Sequence, residues 1–161
     1  MRNVYVICLA ILIGFGAYKG CLSFRSPEEV ILDKLEAAVE GFNETRLSPV
    51  LDLFERDFVE SNKGYTRDQI KSGVIAAFFR EVDPQTKEFL YRVSVNEAEV
   101  LVEDDETNAS ATLQVDLQKL RLGEWKPVWS FDLEGDLVVT EYNGWQFRTA
   151  KVETVTGNRP R

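Results

Sequence analysis

Residues 129–147 read WSFDLEGDLVVTEYNGWQF and contain the pattern that decides the fold. Apolar side chains alternate on both sides of the Asn143-Gly144 pair, as they do in strands buried on one face. An Asn-Gly pair between two such runs predicts a β-hairpin with a type I′ turn. The run before it, interrupted at Gly135, predicts one long bent strand or two short ones. The run after it predicts a partner strand that continues toward Val155.

A second hairpin precedes this one in the chain. Apolar residues alternate over residues 91–102, with a change of phase near Glu97 that a β-bulge would absorb. The acidic run at residues 103–106 predicts a solvated turn rather than a calcium site, because it lacks the alternating oxygen ligands and the glycine of a calcium loop. Residues 109–117 alternate again and predict the returning strand.

Signals for helices come before all of these strands. The SPEE sequence at residues 26–29 is a capping box with proline at the first helical position, and the apolar spacing behind it predicts a helix over residues 27–42. Ser48-Pro49 predicts the start of a second helix that ends near Ser61. TRDQ at residues 66–69 predicts a third, which Asp83-Pro84 ends. Helices followed by strands are typical of an α+β domain with three N-terminal helices across an antiparallel sheet.

The charge of the chain excludes one class of partner. The net charge is −8, and because Arg2, Lys19 and Arg25 are the only charges before Ser26, residues 26–161 have 16 basic and 27 acidic side chains. Such an acidic surface repels phosphate backbones, so we expect no nucleic-acid partner.

Histidine is absent from the 161 residues. A Ser-His-Asp or Cys-His nucleophile, a histidine base and a histidine-ligated zinc site are therefore excluded. Cys8 and Cys21 both lie in the N-terminal segment, so no disulfide can form within the domain. We expect no catalytic residue, no metal site and no cofactor.

Residues 4–24 are mostly apolar, with Lys19 as their only charge, and predict attachment to a membrane. The uncharged run of residues 4–18 is shorter than the roughly 20 residues that span a bilayer, unless Lys19 snorkels and the following residues join it. Three interpretations remain: an uncleaved anchor, a lipoprotein signal that ends at Gly20-Cys21, and a cleaved signal peptide. We expect the boundaries 1–25 for this segment, 26–155 for the domain and 156–161 for a flexible tail.

The charges that flank the segment are nearly balanced, with Arg2 and the amino terminus on one side and Lys19 and Arg25 on the other. Because orientation depends mainly on Lys and Arg near the span, an acidic domain does not oppose export, and we expect it outside the cytoplasm, on the periplasmic side of a bacterial membrane.

Large aromatic side chains are predicted on the strands and on the helices that face them. They either fill the core between sheet and helices or line an apolar pocket that a curved sheet leaves open, with Tyr65, Tyr91 or Tyr142 as a polar contact. The candidate pocket residues are Phe54, Phe58, Tyr91, Trp129, Phe131 and Trp145.

Over residues 27–155, the three helices, the long strands and the closing hairpin YNGWQF at residues 142–147 resemble the cone-shaped domain of nuclear transport factor 2, which is shared with ketosteroid isomerases and SnoaL-like proteins. The resemblance implies helices that cap a curved sheet, with an apolar ligand in the cone or a protein partner or second copy on the sheet.

Isomerases of that family use an aspartate base with a tyrosine and a protonated acid as oxyanion donors. Asp116 and Asp132 alternate with apolar residues and are expected to face away from the cone, so Asp52 is the best candidate for such a base. The family's histidine-dependent dehydratases are excluded.

Two hypotheses for function follow. The first is a non-enzymatic, membrane-anchored module that binds a protein partner, through the sheet or the cone mouth, or a small apolar ligand; this organisation resembles that of certain components of bacterial secretion machines. The second is a small isomerase or lyase with a carboxylate base in the cone. A buried carboxyl beside a tyrosine in a cavity would favour the second, and an exposed apolar sheet face would favour the first.

Overall fold

A computed structural model describes residues 25–158 of the chain. The helices are α1 (Pro27–Asn43), α2 (Leu47–Leu51) and α3 (Arg67–Arg80), and the strands are β1 (Phe54–Glu60), β2 (Tyr91–Val102), β3 (Asn108–Arg121), β4 (Glu124–Thr140) and β5 (Gly144–Gly157). The strands form one sheet in the order β1-β5-β4-β3-β2. All neighbouring strands are antiparallel except β1 and β5, which are parallel. The predicted α+β class is confirmed, with the helices against a curved sheet.

Both predicted capping boxes are present. The Ser26 hydroxyl accepts a hydrogen bond from the Glu29 amide, and the Thr66 hydroxyl accepts one from the Gln69 amide, while each N3 side chain bonds back to the cap backbone. These reciprocal bonds satisfy amides that would otherwise lack a partner at the first turn. Helix α1 buries Ile31, Leu35 and Ala38 against the sheet, whereas no side chain of α3 is fully buried.

The predicted second helix is largely wrong. Helix α2 is a five-residue helix with Arg46 as its N-cap, and the chain then enters strand β1. Phe54 and Phe58 are four residues apart, a spacing that fits one face of a helix and equally one face of a strand. Parallel pairing with β5 decides between them, because it provides backbone partners and leaves Phe58 only 2% exposed. The chain therefore does not place all of its helices before its strands.

The other strand predictions agree with the structure. The bulge expected near Glu97 is a register shift between Val95 and Glu97, and β4 is one long strand with shifts at Ser130/Phe131 and Asp136/Leu137. The closing hairpin is confirmed, but its turn is not type I′. That turn requires positive φ at both central residues, whereas in the Asn143-Gly144 pair only Gly144 has one, of 64°.

The closing hairpin is also tied to α1. The Lys34 ammonium donates hydrogen bonds of 2.6 Å to the carbonyl oxygens of Asn143 and Trp145. Burial lowers the pKa of Lys34, and the nearby Asp52 charge partly offsets that effect. Helix α1 and the end of the sheet are thus held together by a partly buried charged group.

The sequence predicts a membrane segment at one end of the chain and a flexible tail at the other. Strand β5 pairs as far as Thr156 and Gly157, two residues into the segment for which the sequence predicts a flexible tail. The predicted membrane segment, residues 4–24, lies outside the described residues. Within residues 25–158 no helix combines the length and apolarity that a membrane span requires.

Candidate apolar ligand site

A cleft of about 200 Å³ lies between α1 and the inner face of the sheet, and we call it the apolar cleft. Every residue that lines it is apolar. Those of the helices and of the connection into β1 are Leu35, Ala38, Val39, Phe42, Val50, Leu53 and Phe54, and those of the sheet are Val93, Val95, Leu113, Val115, Phe131, Leu133 and Phe147.

Strand register places the sheet side chains in rows across the floor of the cleft. Val95 on β2 pairs with Val115 on β3, which pairs with Phe131 on β4. Leu113 pairs with Leu133 in the next row. Because alternate residues of a strand point to the same face, these rows follow directly from the period-two pattern of the sequence.

Helix α1 provides the roof of the cleft. Leu35, Ala38, Val39 and Phe42 recur at helical spacing and all line it. Ala38 is 5% exposed, so its small side chain faces the interior. A larger residue there would occupy part of the cleft.

A second cavity, of about 250 Å³, lies between α3 and the sheet, and we call it the α3 cavity. Its lining mixes apolar and charged groups: Phe42, Gly73, Ala76, Ala77, Arg80, Glu81, Tyr91 and Leu117. The Phe42 ring borders both spaces and packs against Phe78 and Phe89 at centroid distances of 5.6 and 5.5 Å.

An ion pair lies beside the α3 cavity. The Lys119 ammonium is 2.8 Å from a Glu81 carboxylate oxygen and 4.7 Å from the centre of the Tyr91 ring. The hydrogen bond to Glu81 raises the pKa of Lys119, with a smaller opposing effect of burial. The Glu81 carboxylate is therefore already engaged by a cation of the protein.

The structure separates the six predicted pocket residues. Phe54 and Phe131 line the apolar cleft, and Tyr91 lines the α3 cavity. Phe58 and Trp145 belong to the buried core.

Trp129 borders neither space. Its ring stacks on Phe131 at 4.1 Å, and its indole nitrogen donates to the Thr154 hydroxyl. Of the tyrosines named as polar contacts, only Tyr91 reaches either cavity, and Tyr142 is 88% exposed on the hairpin turn.

The three aspartates considered as bases all lie outside the apolar cleft. Asp116 pairs with Ser130 and Asp132 with Gln114 on the outer face of the sheet, as predicted. Hydrogen bonds from Ser130 and Asn96 lower the pKa of Asp116. Asp52 follows α2 and accepts a hydrogen bond from the Ser48 hydroxyl. No cluster of carboxyl, thiol or imidazole groups among residues 25–158 is suited to bind a metal.

Sequence reasoning missed two groups near the site. Phe89 lies in the bend before β2 and packs on Phe42, and Arg80 reaches the α3 cavity from the last turn of α3. A phenylalanine just before a period-two run and a cation near the end of a helix were visible in the sequence. Neither feature shows which neighbour it will meet.

Comparison with known proteins shows the fold alone. Neither a protein-family model nor a curated protein matches the sequence. Among solved structures, a nuclear transport factor 2-like protein with a cystatin-like fold from Novosphingobium aromaticivorans is 14% identical, with a TM-score of 0.65 over 91% of this chain and 92% of that one.

Two further structures are similar. A nuclear transport factor 2-like protein from Cytophaga hutchinsonii is 10% identical, with a TM-score of 0.60 over 81% of this chain and 100% of the other. A ketosteroid isomerase-like protein from Erwinia carotovora atroseptica is 16% identical, with a TM-score of 0.56 over 83% and 99%. The domain therefore has the nuclear transport factor 2-like fold.

Proposed function

We propose that the protein is a non-enzymatic module that binds a small apolar ligand in the apolar cleft. The observation that carries the proposal is the cleft itself, about 200 Å³ of space lined only by apolar side chains. Binding there would be driven by the transfer of the ligand's apolar surface out of water, which contributes roughly 25 cal/mol for each Å² of apolar surface buried.

The volume of the cleft limits the size of the ligand. An apolar cavity of about 150 Å³ binds benzene in a protein interior, whereas drug-sized ligands occupy roughly 300–1,000 Å³. The apolar part of the ligand is therefore a single ring or a short alkyl chain.

An isomerase or lyase is a weaker candidate. A base for such chemistry must lie within hydrogen-bond reach of the substrate, and none of the residues that line the cleft is ionisable. Glu81, which lines the α3 cavity with Tyr91, is not buried, and its carboxylate is paired with Lys119 at 2.8 Å. The buried carboxylate of Glu60 accepts hydrogen bonds from the backbone amides of Asn62 and Lys63 in the turn after β1, away from the cleft.

Attachment to a membrane through residues 4–24, with the domain on the periplasmic side, is part of the proposal and is supported by the sequence alone. A protein partner or a homodimer at the sheet is the second candidate. The middle of the outer face of the sheet carries hydroxyl and carboxyl groups, including Ser110, Thr112 and Glu134, and Leu101 on the edge strand is a large apolar side chain exposed there. We therefore place the ligand first.

Filling the cleft tests the proposal. Ala38→Leu adds volume to the roof of the cleft, and we expect it to weaken the binding of octanol to the full-length chain by about tenfold or more, measured by isothermal titration calorimetry. Ala37→Leu makes the same change on the exposed side of the same helix, at a residue that does not line the cleft, and should leave affinity unchanged. Thermal unfolding of both variants verifies that they are folded. Equal octanol affinity in Ala38→Leu and wild type would contradict the proposal.

A further inference from the structure

The apolar cleft and the α3 cavity follow one another on the inner face of the sheet. Val115 lines the apolar cleft, and Leu117, two residues along β3, lines the α3 cavity. Two residues of a strand span about 6.6 Å, so the two spaces are close neighbours. Phe42 lies over the boundary, so a molecule that passes beside this one ring would contact both spaces.

The two cavities differ in charge. The apolar cleft has no charged residue in its lining, whereas Arg80 and Glu81 line the α3 cavity. Glu81 is neutralised by Lys119 at 2.8 Å. The exposed side chain of Arg80 makes no hydrogen bond or ion pair with any of residues 25–158. The charge left available in this cavity is therefore positive, in a chain whose net charge is −8.

From this arrangement we propose that the ligand is an amphipathic carboxylate, whose apolar part occupies the apolar cleft and whose carboxylate binds Arg80 in the α3 cavity. This inference rests on the proposed function and names the chemical class of its ligand. A guanidinium presents paired N–H donors that match the two oxygens of a carboxylate, and such charge-assisted bonds are roughly twice as strong as neutral ones. Gly73, Ala76 and Ala77 leave room beside Arg80 for the head group.

Octanoate and octanol form a matched pair of probes, because they share an alkyl chain and differ in the charge of the head group. At neutral pH we expect the full-length chain to bind octanoate about tenfold more tightly than octanol. Arg80→Gln should remove that preference and leave octanol binding unchanged. Lys71→Gln removes a positive charge from α3 at an exposed position that lines neither cavity, and it should keep the preference.

The outcomes separate this inference from the proposed function. If octanol binds as tightly as octanoate, or if Arg80→Gln and Lys71→Gln weaken octanoate equally, the carboxylate assignment is wrong while the apolar cleft remains a ligand site. If neither probe binds, both proposals are wrong. Loss of the octanoate preference only in Arg80→Gln supports the assignment.

Discussion

The side-chain amide of Asn43 exchanges two hydrogen bonds with the backbone of Val93. Its nitrogen donates to the Val93 carbonyl at 3.0 Å, and its oxygen accepts from the Val93 amide at 2.7 Å. Asn43 is the last residue of α1, and Val93 lies on β2, the edge strand of the sheet. The amide thus takes the place of a neighbouring strand at one position. It fixes the end of α1, which forms the roof of the cleft, to the sheet that forms its floor.

Asn43→Ala should lower the free energy of unfolding by about 1–2 kcal/mol, because two hydrogen bonds of ordinary strength are lost and solvent replaces them only in part. Urea unfolding followed by circular dichroism measures the change. Asn96→Ala, on the same strand as Val93, removes one exposed hydrogen bond to Asp116 and should lower the free energy of unfolding by less. Equal losses in the two variants would show that the Asn43 amide has no special role.

Gly135, in the middle of β4, leads to a second prediction. A Cβ atom there would lie 2.6 Å from the Phe147 ring and 2.8 Å from the Thr149 carbonyl oxygen. Gly135→Ala should therefore destabilise the domain by about 1–3 kcal/mol through overpacking.

Gly73 is the matched control for Gly135. It lies inside α3, where an added Cβ atom would have no neighbour within 4 Å, so Gly73→Ala should stabilise the domain by about 0.5–1 kcal/mol through helix propensity. Thermal unfolding of the two variants should therefore shift Tm in opposite directions. A fall in Tm for Gly73→Ala, or an unchanged Tm for Gly135→Ala, would contradict this interpretation of the fold.

Local patterns predicted most of this fold and failed at β1. The capping boxes at Ser26 and Thr66 and the period-two runs depend on neighbouring residues, so the sequence shows them directly. Phe54 and Phe58 fit a helix and a strand alike. Their state is decided by pairing with β5, about 90 residues later, which no local pattern contains.

The candidate site was predictable only in part. Alternation along the strands shows which side chains share the inner face, and Phe131 was identified in this way. Whether a space remains above that face depends on how closely α1 approaches the sheet and on the curvature of the sheet. Phe58 and Trp145 obey the same pattern as Phe131 and are core residues, because the layers close over them.

The turn between β2 and β3 predicts a specific dependence on pH. Hydrogen bonds from the Thr107 amide and hydroxyl, and then from Asn108, lower the pKa of Asp105 from 3.8 to about 2. A carboxyl whose pKa is lowered by folding stabilises the domain above its unfolded pKa, and that contribution is lost as pH falls through the folded pKa, here from about 4 to about 2.

Asp105→Asn should therefore be less stable than wild type at neutral pH and should lose less stability between neutral pH and about pH 2. Urea unfolding at a series of pH values measures this difference. Asp104→Asn, at the exposed neighbour that accepts no hydrogen bond from residues 25–158, should retain the pH profile of the wild type. A profile for Asp105→Asn that parallels the wild type would show that the turn does not contribute.

The domain should fold without the N-terminal segment and without a metal. Its first described element begins at Pro27 with the Ser26 cap, and residues 25–158 contain no cluster suited to a metal ion. We expect the fragment 26–161 to show the circular dichroism of an α+β protein and to keep its Tm in the presence of a strong chelator. A Tm that falls when the chelator is added would show that a metal site was missed.

Gln146 joins three elements of the domain through a buried amide. It is 3% exposed, its nitrogen donates to the carbonyl oxygens of Asp52 and Phe54, and its oxygen accepts from the Thr140 hydroxyl. Leucine has a similar volume but no donor, so Gln146→Leu should leave both part-buried carbonyl groups without this partner.

Because a buried polar group without a partner costs about 1–3 kcal/mol, we expect Gln146→Leu to destabilise the domain by about 2–4 kcal/mol in urea unfolding with an unchanged m-value. Gln114→Leu makes the same change on the outer face of the sheet, where the glutamine side chain has no hydrogen bond to residues 25–158, and should stay within about 0.5 kcal/mol of wild type. If the two variants were equally stable, β5 would hold β1 through the backbone bond from Phe147 to Leu53 and its neighbours rather than through this amide.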